Sequence, residues 1–374
     1  MDINQQALEI HKKFKGKIKT ALRDIPTAET LKLYYTPGVG GVASYIAEHP
    51  AEMRNYTWTN NLVAVISDGS AVLGLGNIGP EGAMPVMEGK AMLFKHFAGI
   101  DSVPIVLNVH TPDEIVATVK AIAPSFGGIN LEDIAAPYCF EIEERLKKEL
   151  DIPVMHDDQH GTAIVALAGL MNATKITGKK LAECKIVLIG AGAAGVAIAR
   201  LLHLYAKPQI IAVDTKGIVY KGRTDLTEEK LYLAGLSSQA YGGTLRDALK
   251  NADVVIGVSR GKLTADDIKV MAKNPIVFAL ANPTPEIMPD VAKAAGAAVI
   301  ATGRSDFPNQ INNALAFPGI FRGALDNRVS TITDHHKIAA AEVIASLVEN
   351  PDAEHIVPSV FEPQLVPTIA RVIV

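Results

Sequence analysis

The chain has 374 residues, 48% of them hydrophobic and 20% charged, with a formal net charge of −4. That length suits two domains with ample buried core, and the composition is too apolar for a disordered chain. A slightly acidic balance gives nucleic acid no basic face, and no uninterrupted apolar stretch is long enough for a membrane span, so neither partner is expected. The opening MDINQQALEIHKKF carries acids early and no apolar core, so it does not read as a signal peptide. Five lysines between Lys12 and Lys19 form one basic run, read as a solvated helix face. Cys139 and Cys184 lie far apart and outside any CxxC pair, which suits a reducing compartment and a soluble cytoplasmic protein.

An apolar segment at 62–66 leads into a glycine loop. From about residue 100 short apolar runs alternate with helical patterns, which predicts an α/β fold with parallel strands flanked by helices. Strands are expected at 103–109, 128–131, 152–155, 185–189, 210–213, 254–258, 276–279 and 298–301. Helices are expected at 137–150, at about 161–174, and at 334–349. In the first, Ile142, Leu146 and Leu150 share a face, and the pairs Glu143–Lys147 and Glu144–Lys148 stand four residues apart. The domain boundary is placed near 155, giving a substrate domain over 1–155. A doubly wound dinucleotide-binding domain follows over 156–374, with a helical segment from about 334.

The dinucleotide expectation rests on 185–214, KIVLIGAGAAGVAIARLLHLYAKPQIIAVD. A β-branched run leads into Gly190-Ala-Gly192-Ala193-Ala194-Gly195, then a helical pattern, a second apolar run and Asp214. Gly190 permits the tight turn, Gly192 lets a pyrophosphate approach the backbone, and Gly195 lets the helix pack on the strand. The helix N-terminus offers N–H groups to phosphate, and Asp214 stands where a carboxylate accepts ribose hydroxyls. A second match, Gly74-Leu-Gly76-Asn-Ile-Gly79, lacks this context: Pro80-Glu-Gly82 follows where a helix should be running. It reads as a structural glycine loop.

Two acidic doublets, Glu132-Asp133 and Asp157-Asp158, close strand candidates and precede helices, so both can face one crevice. Carboxylates gathered in a cleft repel unless a cation joins them, and hard oxygen donors suit Mg²⁺ or Mn²⁺ rather than Zn²⁺. Singly, such acids also serve as helix caps. His156 and His160 are four apart but straddle a strand end, which argues against a zinc helix. Tyr35, in a Pro- and Gly-rich turn, reads either as a fixed phenol able to donate a proton or as packing under a loop. Lys90, expected to start an apolar helix, reads either as a surface lysine or as a base whose pKa burial lowers. Asn282, Asn312 and Asn313 read as turn formers or as amides that bind a carboxylate or carboxamide.

In this order the motifs resemble the malic enzyme family, from about residue 30 to 325. They are Tyr35-Thr-Pro-Gly-Val-Gly40, Gly74-Leu-Gly-Asn-Ile-Gly79, Gly89-Lys90 with Ala98-Gly-Ile-Asp101, Glu132-Asp133, Asp157-Asp158-Gln-His-Gly-Thr162, the 190–195 loop, Phe278-Ala-Leu-Ala-Asn282-Pro-Thr284 and Asn309-Gln-Ile-Asn-Asn313. The resemblance implies oxidative decarboxylation of (S)-malate to pyruvate and CO₂ with NAD(P)⁺ and a divalent cation, with oxaloacetate decarboxylation as a further activity. It implies that Glu132, Asp133 and Asp158 hold Mg²⁺ or Mn²⁺. Lys90 would take the C2 hydroxyl proton with Asp157 beside it, and Tyr35 would protonate C3. Asn282, Asn312 and Asn313 would contact substrate, with Asn282 also near the cofactor. Larger family members carry an arginine before the GLG motif; here Ser70-Ala71 stands there. The chain resembles the compact family form, which implies a homodimer with Tyr35 lent across. Malolactic chemistry with retained NAD and a non-catalytic dinucleotide sensor are the alternatives. Asp214 favours NAD, while Lys216 and Arg223 keep NADP open.

Overall fold

The structure, a computed structural model, describes residues 3–14, 17–237 and 241–374. Two sheets organise it. The first has four parallel strands in the order β2-β1-β3-β4: β1 Leu62–Ser67, β2 Asp101–Val106, β3 Gly128–Leu131 and β4 Val154–His156. The second has six strands in the order β10-β9-β8-β5-β6-β7: β5 Lys185–Ile189, β6 Gln209–Asp214, β7 Gly217–Ile218, β8 Val254–Gly257, β9 Ile276–Ala279 and β10 Val299–Thr302. All pairs in it are parallel except the short β6–β7 hairpin at one edge. In both sheets the strand order reverses beside the first strand, between β1 and β3 and between β5 and β8. In such folds ligands bind at the C-terminal strand ends flanking that reversal.

Near-continuous apolar runs make these strands because helices cover both faces. The period-two alternation sends Val63 and Val65 to one core, and Leu62, Ala64 and Ile66 to another. In β5, Ile186 and Leu188 likewise join the first core while Val187 and Ile189 face the opposite layer. That first core is shared by the two sheets. The helix Asp157–Thr177 runs through it, its stretch from Ala163 to Leu170 almost wholly buried, which is why it reads apolar all round. Asn172 on this helix donates 2.9 Å bonds to the carbonyls of Ala345 and Ile356, tying in the C-terminal segment. Phe94 on the helix Gly79–Ala98 meets Phe317 and Phe321 edge-on, so the helix Phe317–Asp326 packs back on the first sheet's layer.

Several expected boundaries move. The strand expected at 103–109 occupies Asp101–Val106, so Asp101 opens it. The long helix starts at Asp157, four residues earlier than expected, which places Asp157 and Asp158 in its first turn. The helix Gly79–Ala98 begins inside the second glycine motif: Pro80 sits in its first turn, where a missing N–H costs nothing, so Pro80 does not break it. Lys90 therefore lies in the middle of that helix and does not start it. The basic run is only partly a helix face, because the helix Ile3–Phe14 ends within it and Lys17 donates a 2.6 Å bond to the Pro85 carbonyl. Residues 15 and 16 of that run lie outside the described residues. Among the described residues no helix is long and apolar enough to cross a membrane.

Candidate active site

The end of β3 delivers Glu132 and Asp133, and the end of β4 delivers Asp157 and Asp158 in the first turn of the following helix. Lys90 enters from the helix Gly79–Ala98 and joins both groups. Its Nζ lies 2.7 Å from Asp157 Oδ2 and 2.9 Å from Glu132 Oε1, and all three side chains are buried. Asn313 Oδ1 accepts a third bond, of 3.4 Å, from the same Nζ, and the Phe317 ring lies 4.4 Å from it. The expectation that burial lowers the lysine's pKa is reversed here. Burial does act downward, but Asp157, Glu132 and Asp158 together outweigh it and hold the ammonium charged. Gly161 makes this packing possible, since a Cβ there would land on Asp157 Oδ1 and 2.7 Å from Asn313 Cβ.

The carboxylates feel one another. Burial, then Asp158, pushes Asp133 up to about 7, and burial followed by the neighbouring acids raises Glu132 despite Lys90. Asp158 Oδ2 accepts the Asp133 backbone N–H at 2.7 Å, and Asn130 Nδ2 donates to Glu132 Oε2 at 2.8 Å. Among the described residues no three His, Cys, Asp or Glu side chains form a group ready to hold a metal ion. Glu132 is turned to Lys90 and Asn130 instead. The donor set nevertheless fits a hard dication: it is all oxygen, and Asp133 Oδ2 and Asp157 Oδ1 are buried without a hydrogen-bond partner. His156 and His160 do not pair: His160 Nε2 lies 2.8 Å from Glu143 Oε2, and His156 stays buried on the strand.

A cavity of about 690 Å³ opens at the reversal point of the second sheet. Ile189 to Gly192 form one wall, Val258 to Gly261 the opposite one, and Pro137 and Phe140, just beyond the Glu132-Asp133 doublet, a third. The β5 turn has the features its glycines predict. Gly190 has φ 120°, a Cβ on Gly195 would land on the Gly190 carbonyl oxygen, and nothing stands within 4 Å of where a Gly192 Cβ would be. The helix Ala193–Tyr205 starts at Gly192, which lines the cavity, and no side chain caps its first N–H groups, those of Ala193 and Ala194 among them. Asp214, at the far end, is not the free carboxylate the sequence suggested. Arg223 grips it with bonds of 2.8 and 3.0 Å, and Lys230 adds one of 2.7 Å. These bonds overcome its partial burial and hold it at about 2.

Asn282 follows β9 and precedes a cis peptide to Pro283. Its carbonyl abuts Gly74, where a Cβ would collide, so the second glycine motif is the surface that the asparagine loop rests on. Arg260, on the cavity wall, donates to the Gly74 carbonyl from the other side. Asn312 caps a short turn, its Oδ1 accepting the Ala314 N–H at 2.9 Å, while Asn313 faces Lys90. Tyr35 stands apart. It ends the short helix Leu31–Tyr34, is 68% exposed, and none of its hydrogen bonds reaches Lys90, Glu132 or Asp157. Sequence reading missed Asn130, Phe317, Arg260 and the buried Glu286. Only Asn130, on β3 two residues before the acid that follows it, carried a local signal.

Family models fit nearly the whole chain: the malic enzyme N-terminal domain over residues 11–112 and 110–147, and the malic enzyme NAD binding domain over 159–370. A bifunctional malic/malolactic enzyme of Bacillus subtilis is 53% identical, over 100% of this chain and 92% of its own length. An NAD-dependent malic enzyme of Geobacillus stearothermophilus is also 53% identical, over 96% of this chain and 76% of its own. The crystal structure of an NAD-dependent malic enzyme from Thermotoga maritima superposes with a TM-score of 0.94 at 51% identity, covering 98% of each chain. That of a malic enzyme from Pyrococcus horikoshii gives 0.95 at 49%, covering 100% of this chain and 90% of the other. The chain belongs to the malic enzyme family.

Proposed function

We propose that this chain oxidises (S)-malate at C2 with NAD⁺ or NADP⁺ and decarboxylates the product to pyruvate, with a divalent cation. The observation that carries the reading is Lys90, a buried ammonium held between Asp157 and Glu132 with Asn313 beside it, in a chain that also opens a cavity at the Gly190 turn. Glu132, Asp133 and Asp158 would hold Mg²⁺ or Mn²⁺, which would supply positive charge to polarise the C2 oxygen, so that the C2 carbonyl takes up the electron pair released as CO₂ leaves.

Lys90 first passes a proton to Asp157, 2.7 Å away, and as the neutral amine then takes the C2 hydroxyl proton, with Asp157 orienting it. Asn313 fixes the lysine, while Asn282 and Asn312 present amides to the substrate. The uncapped N-terminus at Gly192 receives the pyrophosphate. Tyr35 returns a proton to C3 and comes from a second copy of the chain. The helices Leu31–Tyr34 and Gly38–Glu48 bury no residue, leaving Leu31, Leu33, Tyr34, Val39, Val42 and Tyr45 exposed, as a face that a dimer partner covers would be.

The test is direct: incubate the purified protein with malate, Mn²⁺ and each dinucleotide, and follow reduced dinucleotide, pyruvate and lactate. Equal amounts of pyruvate and reduced dinucleotide support the reading. Lactate without reduced dinucleotide would establish the malolactic alternative, an activity that the bifunctional Bacillus subtilis relative carries beside the malic one.

A further inference from the structure

Glu286 has the burial of a core residue and a charge that the proposed chemistry does not use. It is 4% exposed and lies behind both the cavity wall and the asparagine loop. Its Oε1 accepts the Ser259 backbone N–H at 3.1 Å, and its Oε2 accepts that of Ala281 at 3.2 Å. Its own carbonyl accepts the Leu263 N–H at 2.8 Å. Ser259 follows β8 and lines the dinucleotide cavity. Ala281 follows β9 and precedes Asn282. One carboxylate therefore bridges the C-terminal ends of two adjacent strands whose loops face different ligands.

The seat for this carboxylate is built. Gly257, the last residue of β8, lies against it, and a Cβ there would land on the carboxyl carbon and Oε1. No side chain fills that space because the Glu286 head does. The loop's own charged residues turn elsewhere: Arg260 is exposed and donates to Gly74, and Lys262 is exposed. On the helix Ala265–Lys269 that follows, Asp267 accepts the hydroxyl of the capping Thr264 and Asp266 pairs with Lys269. On the helix Pro289–Ala294, Asp290 and Lys293 are not buried. Among the described residues only backbone N–H groups donate to the Glu286 head. A carboxylate buried there without a cation must be held by those N–H groups, and burial pushes it up to about 7.

We propose that Glu286 is a positioning residue that sets the dinucleotide wall at Ser259 in register with the asparagine loop at Asn282. Resting on the malic enzyme reading above, it couples the cofactor half of the site to the substrate half. The ionised head accepts both N–H groups; the protonated head has a hydroxyl with no acceptor to face, and one loop loosens.

Direct titration of NADH and NADPH by their fluorescence, on wild type, Glu286→Gln and Gly257→Ala, tests this without requiring turnover. Glutamine offers one acceptor and turns an N–H toward the second donor, so it mimics the protonated acid. The expected result is dinucleotide affinity about tenfold weaker in Glu286→Gln, the loss of one charge-assisted hydrogen bond. Wild-type affinity should weaken as pH falls from 8 to 6 through the value near 7, while Glu286→Gln stays flat at the weaker level. Gly257→Ala keeps the carboxyl but displaces it, and should weaken affinity similarly. Where malate turnover is present, its KM should rise in both variants. Dinucleotide affinity and pH profile unchanged in both folded variants would overturn the proposal. Tight dinucleotide binding with these shifts but no malate turnover would overturn the enzymatic reading and leave the positioning role standing.

Discussion

The Lys90 ammonium lies 2.7 Å from Asp157 and 2.9 Å from Glu132, in a pocket where its side chain is 8% exposed. Taking the ammonium away leaves two buried carboxylates facing each other, which costs roughly 3–5 kcal/mol when nothing else compensates. Lys90→Ala should therefore lower the unfolding midpoint in metal-free buffer. It should also cut turnover by at least about a hundredfold, the usual weight of one proton-transferring group. Lys90→Arg keeps the charge but cannot give up its proton, so it should restore stability and not activity. Turnover by Lys90→Arg near the wild-type rate would remove the lysine from the proton transfer.

Gly161→Ala perturbs the same pair without touching its charges. The new Cβ lands on Asp157 Oδ1, so the carboxylate must leave its place beside Lys90. The substitution favours the helix by about 1 kcal/mol, which separates the two effects. Expected is a protein that still folds and binds dinucleotide but turns over malate at least about tenfold more slowly. Unchanged kcat would show that the Asp157 contact is dispensable.

Cofactor preference turns on the Asp214 clasp. A free acid at this strand end repels a 2′-phosphate, but Arg223 and Lys230 cancel its charge, and Lys216 pairs with Asp225 2.7 Å away. Three cations against two acids leave the rim tolerant of phosphate. The wild type should use both dinucleotides, with kcat/KM values within about tenfold of each other. Arg223→Ala should shift the ratio toward NAD by about tenfold, equivalent to one lost charge contact. A ratio unmoved by that variant would show that Arg223 has no part in the choice.

The raised Glu286 carboxyl makes a stability prediction with a definite sign. Its folded value is about 7 and the unfolded value about 4.5, so between these the folded protein binds the extra proton. Stability is therefore lost as pH rises through that window. Glu286→Gln lacks the desolvated charge, so above pH 7 it should be more stable than wild type by roughly 1–3 kcal/mol, and near pH 5 the two should coincide. Urea melts at the two pH values give the difference directly. A variant less stable than wild type at both would mean that the carboxylate supports the fold instead of straining it.

What the sequence made legible follows a physical line. The 185–214 unit was readable because strand, glycine turn, helix and acid are contiguous, and β5, the Gly190 turn and the helix after it lie where their residues point. The Lys90 cluster was legible only through motif resemblance, because its members are brought together by three separate elements. The direction of the lysine's pKa was misread for the same reason: one residue reports its burial, and its partners are 42 and 67 positions away. The Asp214 clasp and the Glu286 bridge were invisible, since a surface-looking Arg223 and an acid after Asn-Pro-Thr-Pro give no sign of what they grip. Pro80 misled because the rule against helical proline fails in the first turn.

Tyr35 is exposed and makes no hydrogen bond to the Lys90 cluster within the single chain, and dimer exchange decides its role. If each site takes Tyr35 from one copy and Lys90 from the other, Tyr35→Phe and Lys90→Ala are each inactive as pure dimers. A mixed dimer then has one site with both residues intact and one with neither. After equal mixing and subunit exchange, half the dimers are mixed, so about one quarter of wild-type activity should return. If Tyr35 serves its own chain, no intact site forms and activity stays at the level of the separate variants. The exposed Leu33, Val39 and Tyr45 give an independent handle on the same contact. Tyr45→Asp, placing charge on that face, should shift the sedimentation profile toward monomer and lower activity in a way that rising protein concentration reverses. A Tyr45→Asp protein that is monomeric yet fully active would leave no reason to bring Tyr35 from a partner.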